Sequence, residues 1–204
     1  MRLDPFYPIF DSAAWLERAL PLGVRFFQLR IKELEGEALA REIRAALRLS
    51  QAHGAVMVVN DHWREAAAAG CDWVHLGQED LAAADLGAIR KAGLRLGIST
   101  HDHAELATAL AAEPDYVALG PIFETRLKAM RWAPQGYDRI GEWKGRIGDV
   151  PLVAIGGFTP ERAGPAFAAG ADIVSVVTDI TLNADPEGRI RAWIAATRAA
   201  ERED

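Results

Sequence analysis

"AGCDWVHLGQEDL", Ala69 to Leu81, carries the fold decision in one short stretch. Ala-Gly closes a helix, because glycine is favoured in the left-handed conformation just past a last turn. Trp73–Leu76 then reads as a short strand, apolar on both faces, which belongs in a parallel sheet covered on both sides. The run breaks off into Gly77-Gln78-Glu79-Asp80, a polar exit rather than an ordinary turn.

The same helix ending recurs at "AGLR", Ala92 to Arg95, and "AGAD", Ala169 to Asp172. Working outward, strand-like runs occupy Tyr7–Phe10, Val24–Leu29, Ala55–Val59, Trp73–Leu76, Arg95–Ile98, Tyr116–Leu119, Leu152–Ile155 and Ile173–Val177. Between them lie Ala-, Leu-, Glu- and Arg-rich stretches of helical spacing, such as Gly36–His53 and Pro186–Ala200. An open doubly wound sheet satisfies such alternation. The run count and the capping glycines favour a compact closed (β/α)8 barrel of the TIM type, one domain spanning 1–204.

Composition narrows the partners. The chain has 204 residues and a net charge of -6 with both signs interspersed, a field that repels polyanions and argues against nucleic acid. A single cysteine, Cys71, excludes an intrachain disulfide and a thiolate cluster. The start lacks a signal-peptide pattern and no stretch approaches a membrane span, so a cytoplasmic protein is expected. Trp132, Trp143 and Trp193 fit either a homo-oligomer interface or the protein's own shell.

Barrel chemistry sits where strands end. Asp61 and Asp80 leave neighbouring strands, so their carboxylates should meet on one rim and, with waters and a polyphosphate, hold Mg2+. Gly77 is expected to turn the backbone sharply there. Gln28, Arg30 and Lys32 alternate and should point together at the mouth, suiting an anionic substrate; Arg30 alternatively pairs with Asp61. Thr125, Arg126 and Lys128 ride a long loop after the sixth strand. Gly156-Gly157 and Thr178, after the last two strands, suit a phosphate. His75 reads as a packed, hydrogen-bonded residue, and His62, His101 and His103 as neighbours of helix starts rather than zinc ligands.

"QLRIK", "NDHW", "VHLGQEDL", "GIST", "LGPIF", "APQG" and "AIGG", in this order, closely resemble the thiamine-phosphate synthase family, from about Tyr7 to the last helix. The resemblance implies a compact barrel joining 4-amino-5-hydroxymethyl-2-methylpyrimidine diphosphate to thiazole phosphate, with release of pyrophosphate. It implies that Gln28, Lys32 and Asn60 contact the pyrimidine diphosphate, that Asp61 and Asp80 hold Mg2+, and that Ser99 and Lys128 complete that pocket. Lys32, Ser99 and Lys128 would act in the reaction itself. Thr125, Gly157, Val177 and Thr178 would grip the thiazole phosphate. Diphosphate departure before capture of a pyrimidine cation is implied as well.

Two departures from the family pattern stand out. Leu127 replaces a loop hydroxyl, and Asp179 puts an acid beside the expected phosphate; Arg126 is expected to compensate by bidentate contact. A thiazole tautomerase-like isomerase and a non-catalytic thiazole-phosphate sensor are the alternative readings. The set Gln28, Lys32, Asn60, Asp61, Asp80 and Lys128 favours the synthase, since an isomerase needs no diphosphate site.

Overall fold

A computed structural model describes residues 3–125 and 132–199 of the chain. The apolar runs form β1 (Phe6–Phe10), β2 (Phe26–Leu29), β3 (Val56–Asn60), β4 (Trp73–Leu76), β5 (Arg95–Thr100), β6 (Tyr116–Leu119), β7 (Leu152–Ile155) and β8 (Ile173–Val176). Each pairs in parallel with the next and β8 returns to β1, closing the barrel. The helices are α1 (Ala13–Ala19), α2 (Gly36–Ala52), α3 (Trp63–Ala69), α4 (Gln78–Ala83), α5 (Leu86–Lys91), α6 (His103–Ala111), α7 (Gly136–Ile147), α8 (Pro160–Ala168), α9 (Thr178–Thr181) and α10 (Pro186–Ala199). Gly70, Gly93 and Gly170 all follow helix ends with positive φ, as the Ala-Gly pattern predicts.

The strand limits differ from the sequence reading at informative places. Val24 and Arg25 lie outside β2, because the turn at Gly23, with φ 102°, delays strand pairing. Ser99 and Thr100 belong to β5 instead of its exit. The exit after β4 is itself helical: Gln78 opens α4 at once.

Closure sorts side chains by a period of two. One buried cluster, including Tyr7, Phe26, Val58, Trp73, Tyr116, Val153 and Ile173, fills the barrel interior, and a larger one packs strands against helices. Trp143 and Trp193 are fully buried in that outer layer; their indole N–H groups bond Thr100 Oγ1 at 2.9 Å and Asp179 Oδ2 at 2.8 Å. Both tryptophans are therefore shell residues of the chain itself. At the far end Arg198 of α10 donates to Asp4 Oδ2 at 3.0 Å and to the Gly23 carbonyl at 2.7 Å, tying the last helix to the chain's start.

Tyr116 reaches its place only because β5 carries a glycine opposite it. A Cβ on Gly97 would come within 2.0 Å of Tyr116 Cζ and 2.4 Å of its hydroxyl. Gly97→Ala is expected to cost about 1–3 kcal/mol by overpacking, read as a lower urea midpoint with an unchanged m-value.

Candidate active site

Going up each strand from the apolar interior, the next inward position is polar on four consecutive strands: Gln28 on β2, Asn60 on β3, His75 on β4 and Ser99 on β5. Buried polar groups need partners. Gln28 Nε2 donates to the Tyr7 hydroxyl at 3.1 Å, and the Tyr7 and Tyr116 hydroxyls lie 2.8 Å apart. His75 Nδ1 sits 2.8 Å from the Tyr116 hydroxyl, and His75 Nε2 sits 2.7 Å from Ser99 Oγ. One hydrogen-bonded chain thus crosses the barrel from Gln28 to Ser99. Burial, above all, lowers the His75 pKa to about 4, opposed by the Asp61 carboxylate and reinforced by Arg30, so the imidazole is neutral. The same burial holds both tyrosines protonated well above pH 10. Asn60 is also buried, yet its side chain makes no hydrogen bond among the described residues.

Above this layer lies a charged rim. Asp61 leaves β3 in the left-handed region at φ 63°, a conformation that asparagine and aspartate tolerate better than most side chains. Its amide still bonds the His75 carbonyl at 2.8 Å. The carboxylate accepts from Lys32 Nζ at 2.6 Å and is in hydrogen-bonding contact with the Asp80 carboxyl. Desolvation first, and then the charge and hydrogen bond of Asp61, push the Asp80 pKa above its ordinary value, while Lys32 opposes the shift. Arg30 is exposed; the cation paired with Asp61 is Lys32. Gly77 is not a sharp turn, since its φ of -75° is open to any residue. Its lack of a side chain instead makes room for Asp80, whose Oδ2 would lie 3.3 Å from a Cβ there. Gln78 donates to the Ser99 carbonyl at 2.7 Å, holding α4 against the end of β5.

Beyond the other side of the mouth is a cavity of about 370 Å³ lined by Thr125, Gly157, Thr159, Arg162, Thr178 and Asn183, with Glu124 and Asp179 at its wall. Gly156 and Gly157 both have positive φ, and a Cβ on Gly156 would approach Pro121 Cα to 2.8 Å. The glycine pair is therefore needed to seat the segment after β6 on the end of β7, where Ile122 and Phe123 donate to the Ile155 and Gly156 carbonyls at 2.9 and 3.0 Å. Val177 does not line the cavity; it caps α9, its carbonyl accepting from the Ile180 and Thr181 amides. Arg162, which the sequence reading missed, stacks over Phe123 at 4.3 Å and donates to the Gly157 carbonyl at 2.5 Å. Its signal was its place in the first turn of the helix that Thr159-Pro160 announces. Arg126, Leu127 and Lys128 lie outside the described residues. The histidines diverge: His62 bonds the Ile31 carbonyl, His101 bonds Glu105 and His103 bonds Glu142, and no cluster of three or more metal-ligating side chains occurs among the described residues.

A family model described as thiamine monophosphate synthase matches residues 7–180. The chain belongs to the thiamine monophosphate synthase family. A thiamine-phosphate synthase of Rhizobium etli is 60% identical over 197 residues, 97% of each chain, and one of Citrobacter koseri is 48% identical over 94% of this chain and 87% of that protein. A thiamine phosphate pyrophosphorylase from Pyrococcus furiosus superposes with a TM-score of 0.83 over 95% of each chain; at 22% identity that likeness is one of fold. Thiamine-phosphate synthase is the function that the family match and these relatives support.

Against the thiamine monophosphate synthase pattern, Asp179 is the departure that the structure resolves. Its carboxylate takes a two-pronged contact from Arg189, at 2.7 and 3.0 Å, together with the Trp193 N–H. The acid is thereby neutralised from α10 and does not call for Arg126 to offset it.

The buried imidazole makes stability depend on pH. Unfolded, His75 takes a proton near pH 6.5; folded, it resists until about pH 4. Between those values the unfolded chain binds the extra proton, so stability falls as pH falls, by roughly 3 kcal/mol at most. Urea midpoints measured across that window should decline in the wild type and flatten in His75→Gln.

Proposed function

We propose that the chain condenses 4-amino-5-hydroxymethyl-2-methylpyrimidine diphosphate with thiazole phosphate, giving thiamine phosphate and pyrophosphate, with Mg2+ held at Asp61 and Asp80. The observation that carries this reading is the contact between those two carboxylates on a rim shared with Lys32, directly above a buried polar layer. Paired carboxylates, one of them with its pKa raised partly by the other's charge, are a site in want of a cation, and an all-oxygen donor set suits a hard one. When bound, Mg2+ would neutralise charge growing on the departing diphosphate.

The protein's own groups do the rest. Lys32 would add a second positive charge to the diphosphate, moving from Asp61 as the anion arrives. Gln28, Asn60 and Ser99 would orient the pyrimidine in the mouth. Thr125, Gly157, Thr178 and Arg162 would hold the thiazole phosphate in the 370 Å³ cavity, aligning its nitrogen for capture. Lys128 and Arg126 are assigned to the diphosphate and the thiazole phosphate by family resemblance. No strong general base is needed, because the nucleophilic thiazole nitrogen carries no proton to remove. Neutralisation of Asp179 removes one of the two grounds for a non-catalytic sensor, and the relatives' names favour the synthase over an isomerase. A cytoplasmic setting accords with the lone, buried thiol of Cys71 and with small-molecule biosynthesis.

Pyrophosphate release should require both substrates and Mg2+; release from the pyrimidine diphosphate without Mg2+, or none with both substrates present, refutes the reading. Mg2+ binding requires both carboxylates ionised, so affinity measured by calorimetry should fall as pH drops through the raised Asp80 pKa, up to about tenfold per unit, and Asp80→Asn should abolish that dependence. Arg162→Ala should raise the KM for thiazole phosphate roughly tenfold and leave that for the pyrimidine diphosphate unchanged.

A further inference from the structure

The chain of hydrogen bonds through the barrel does more than satisfy buried atoms. Each hydroxyl supplies one proton, and a neutral imidazole has one N–H and one bare nitrogen. Along Gln28, Tyr7, Tyr116, His75 and Ser99 the donations must therefore all run one way. Any reversal midway would strand a buried hydroxyl proton without an acceptor, or leave a lone pair facing a lone pair. In the structure the direction is set at one end by Gln28, whose Nε2 donates to Tyr7. With that end fixed, one-way donation requires Tyr7 to donate to Tyr116, Tyr116 to His75 Nδ1, and His75 Nε2–H to Ser99 Oγ, over the contacts of 2.8, 2.8 and 2.7 Å.

Two groups are left over at the ends. Ser99 has accepted from His75, so its own proton is free to donate. Gln28 turns its amide nitrogen toward the Tyr7 and Tyr116 hydroxyls, and its Oε1 makes no hydrogen bond among the described residues, so it is left to accept. Reversing the whole chain would swap both roles together. The two ends are thus held opposite in kind.

We propose that Tyr7, Tyr116 and His75 are positioning residues that lock Gln28 as an acceptor and Ser99 as a donor, so that the pocket selects a ring offering an amino N–H to one and a ring-nitrogen lone pair to the other. The identity of that ring as an aminopyrimidine rests on the proposed function; the coupling of the two ends does not. A 4-oxo analogue of the pyrimidine diphosphate, with a carbonyl in place of the amine and a ring N–H in place of the lone pair, presents the reversed pattern and should be rejected.

Two measurements test this. In protein labelled with ¹⁵N-histidine, His75 should carry its proton on Nε2 in the presence of the pyrimidine diphosphate; a proton on Nδ1 overturns the proposal. The second is the ratio of kcat/KM for the amino substrate to that for the 4-oxo analogue. Tyr116→Phe keeps the ring beside Gly97 but cuts the chain, and should lower that ratio about tenfold or more while the KM for thiazole phosphate stays unchanged. A ratio equal to that of the wild type overturns the proposal. Tyr7→Phe cuts the next joint and serves if Tyr116→Phe does not fold. A wild type that releases no pyrophosphate would refute the proposed function and leave the tautomer measurement to decide the coupling.

Discussion

Closing eight strands into a cylinder removes water from every inward side chain, and the site follows from that removal. Lower in the interior, Phe26, Val58, Trp73 and Tyr116 solve the problem by being mainly apolar. One step higher, Gln28, His75 and Ser99 solve it by bonding to one another through two tyrosine hydroxyls. The polar layer is thus supported from beneath, and its groups are aimed before any ligand arrives. Preorganisation of this kind spares the reorganisation that a solvent-filled mouth would need.

Charge is managed differently on the two sides of the mouth. Asp61 and Asp80 face each other, and among the described residues the ion pair that relieves them is with Lys32. Asp179, by contrast, is bound on both oxygens by Arg189 and Trp193, and Arg189 also lies 3.7 Å from Glu161. The first arrangement leaves two carboxylates facing each other, and the second satisfies an acid at the cavity wall from a neighbouring helix. Both use carboxylates, and what separates them is the number of donors that the surrounding helices provide.

Much of this was legible in the sequence. The barrel followed from the alternation of apolar runs with helical stretches, and the meeting of Asp61 with Asp80 followed from strand order alone. The hydrogen-bonded chain did not, because Tyr7 and Tyr116 stand 109 positions apart and each reads as one more apolar residue in a strand. Ser99 looked like an exit residue because Thr100 and Ser99 continue β5 beyond its apolar run. Asp179 was misread for a related reason: the groups that neutralise it sit on the last helix, and one-dimensional spacing carries no record of that approach. Gly77 was assigned the wrong task, since the usual reason for a glycine is backbone freedom and here it is side-chain room.

The interlock of Gly156 and Gly157 with Pro121–Glu124 bears on how this protein can change over generations. Two loops that fill each other's missing side chains must be inherited as a cassette. Exchanging the segment after β6 for that of a distant cousin, without its glycine partners, brings a collision instead of a new specificity. Divergence around this cavity is therefore channelled toward the freer positions of its wall, such as Leu182, which is 70% exposed.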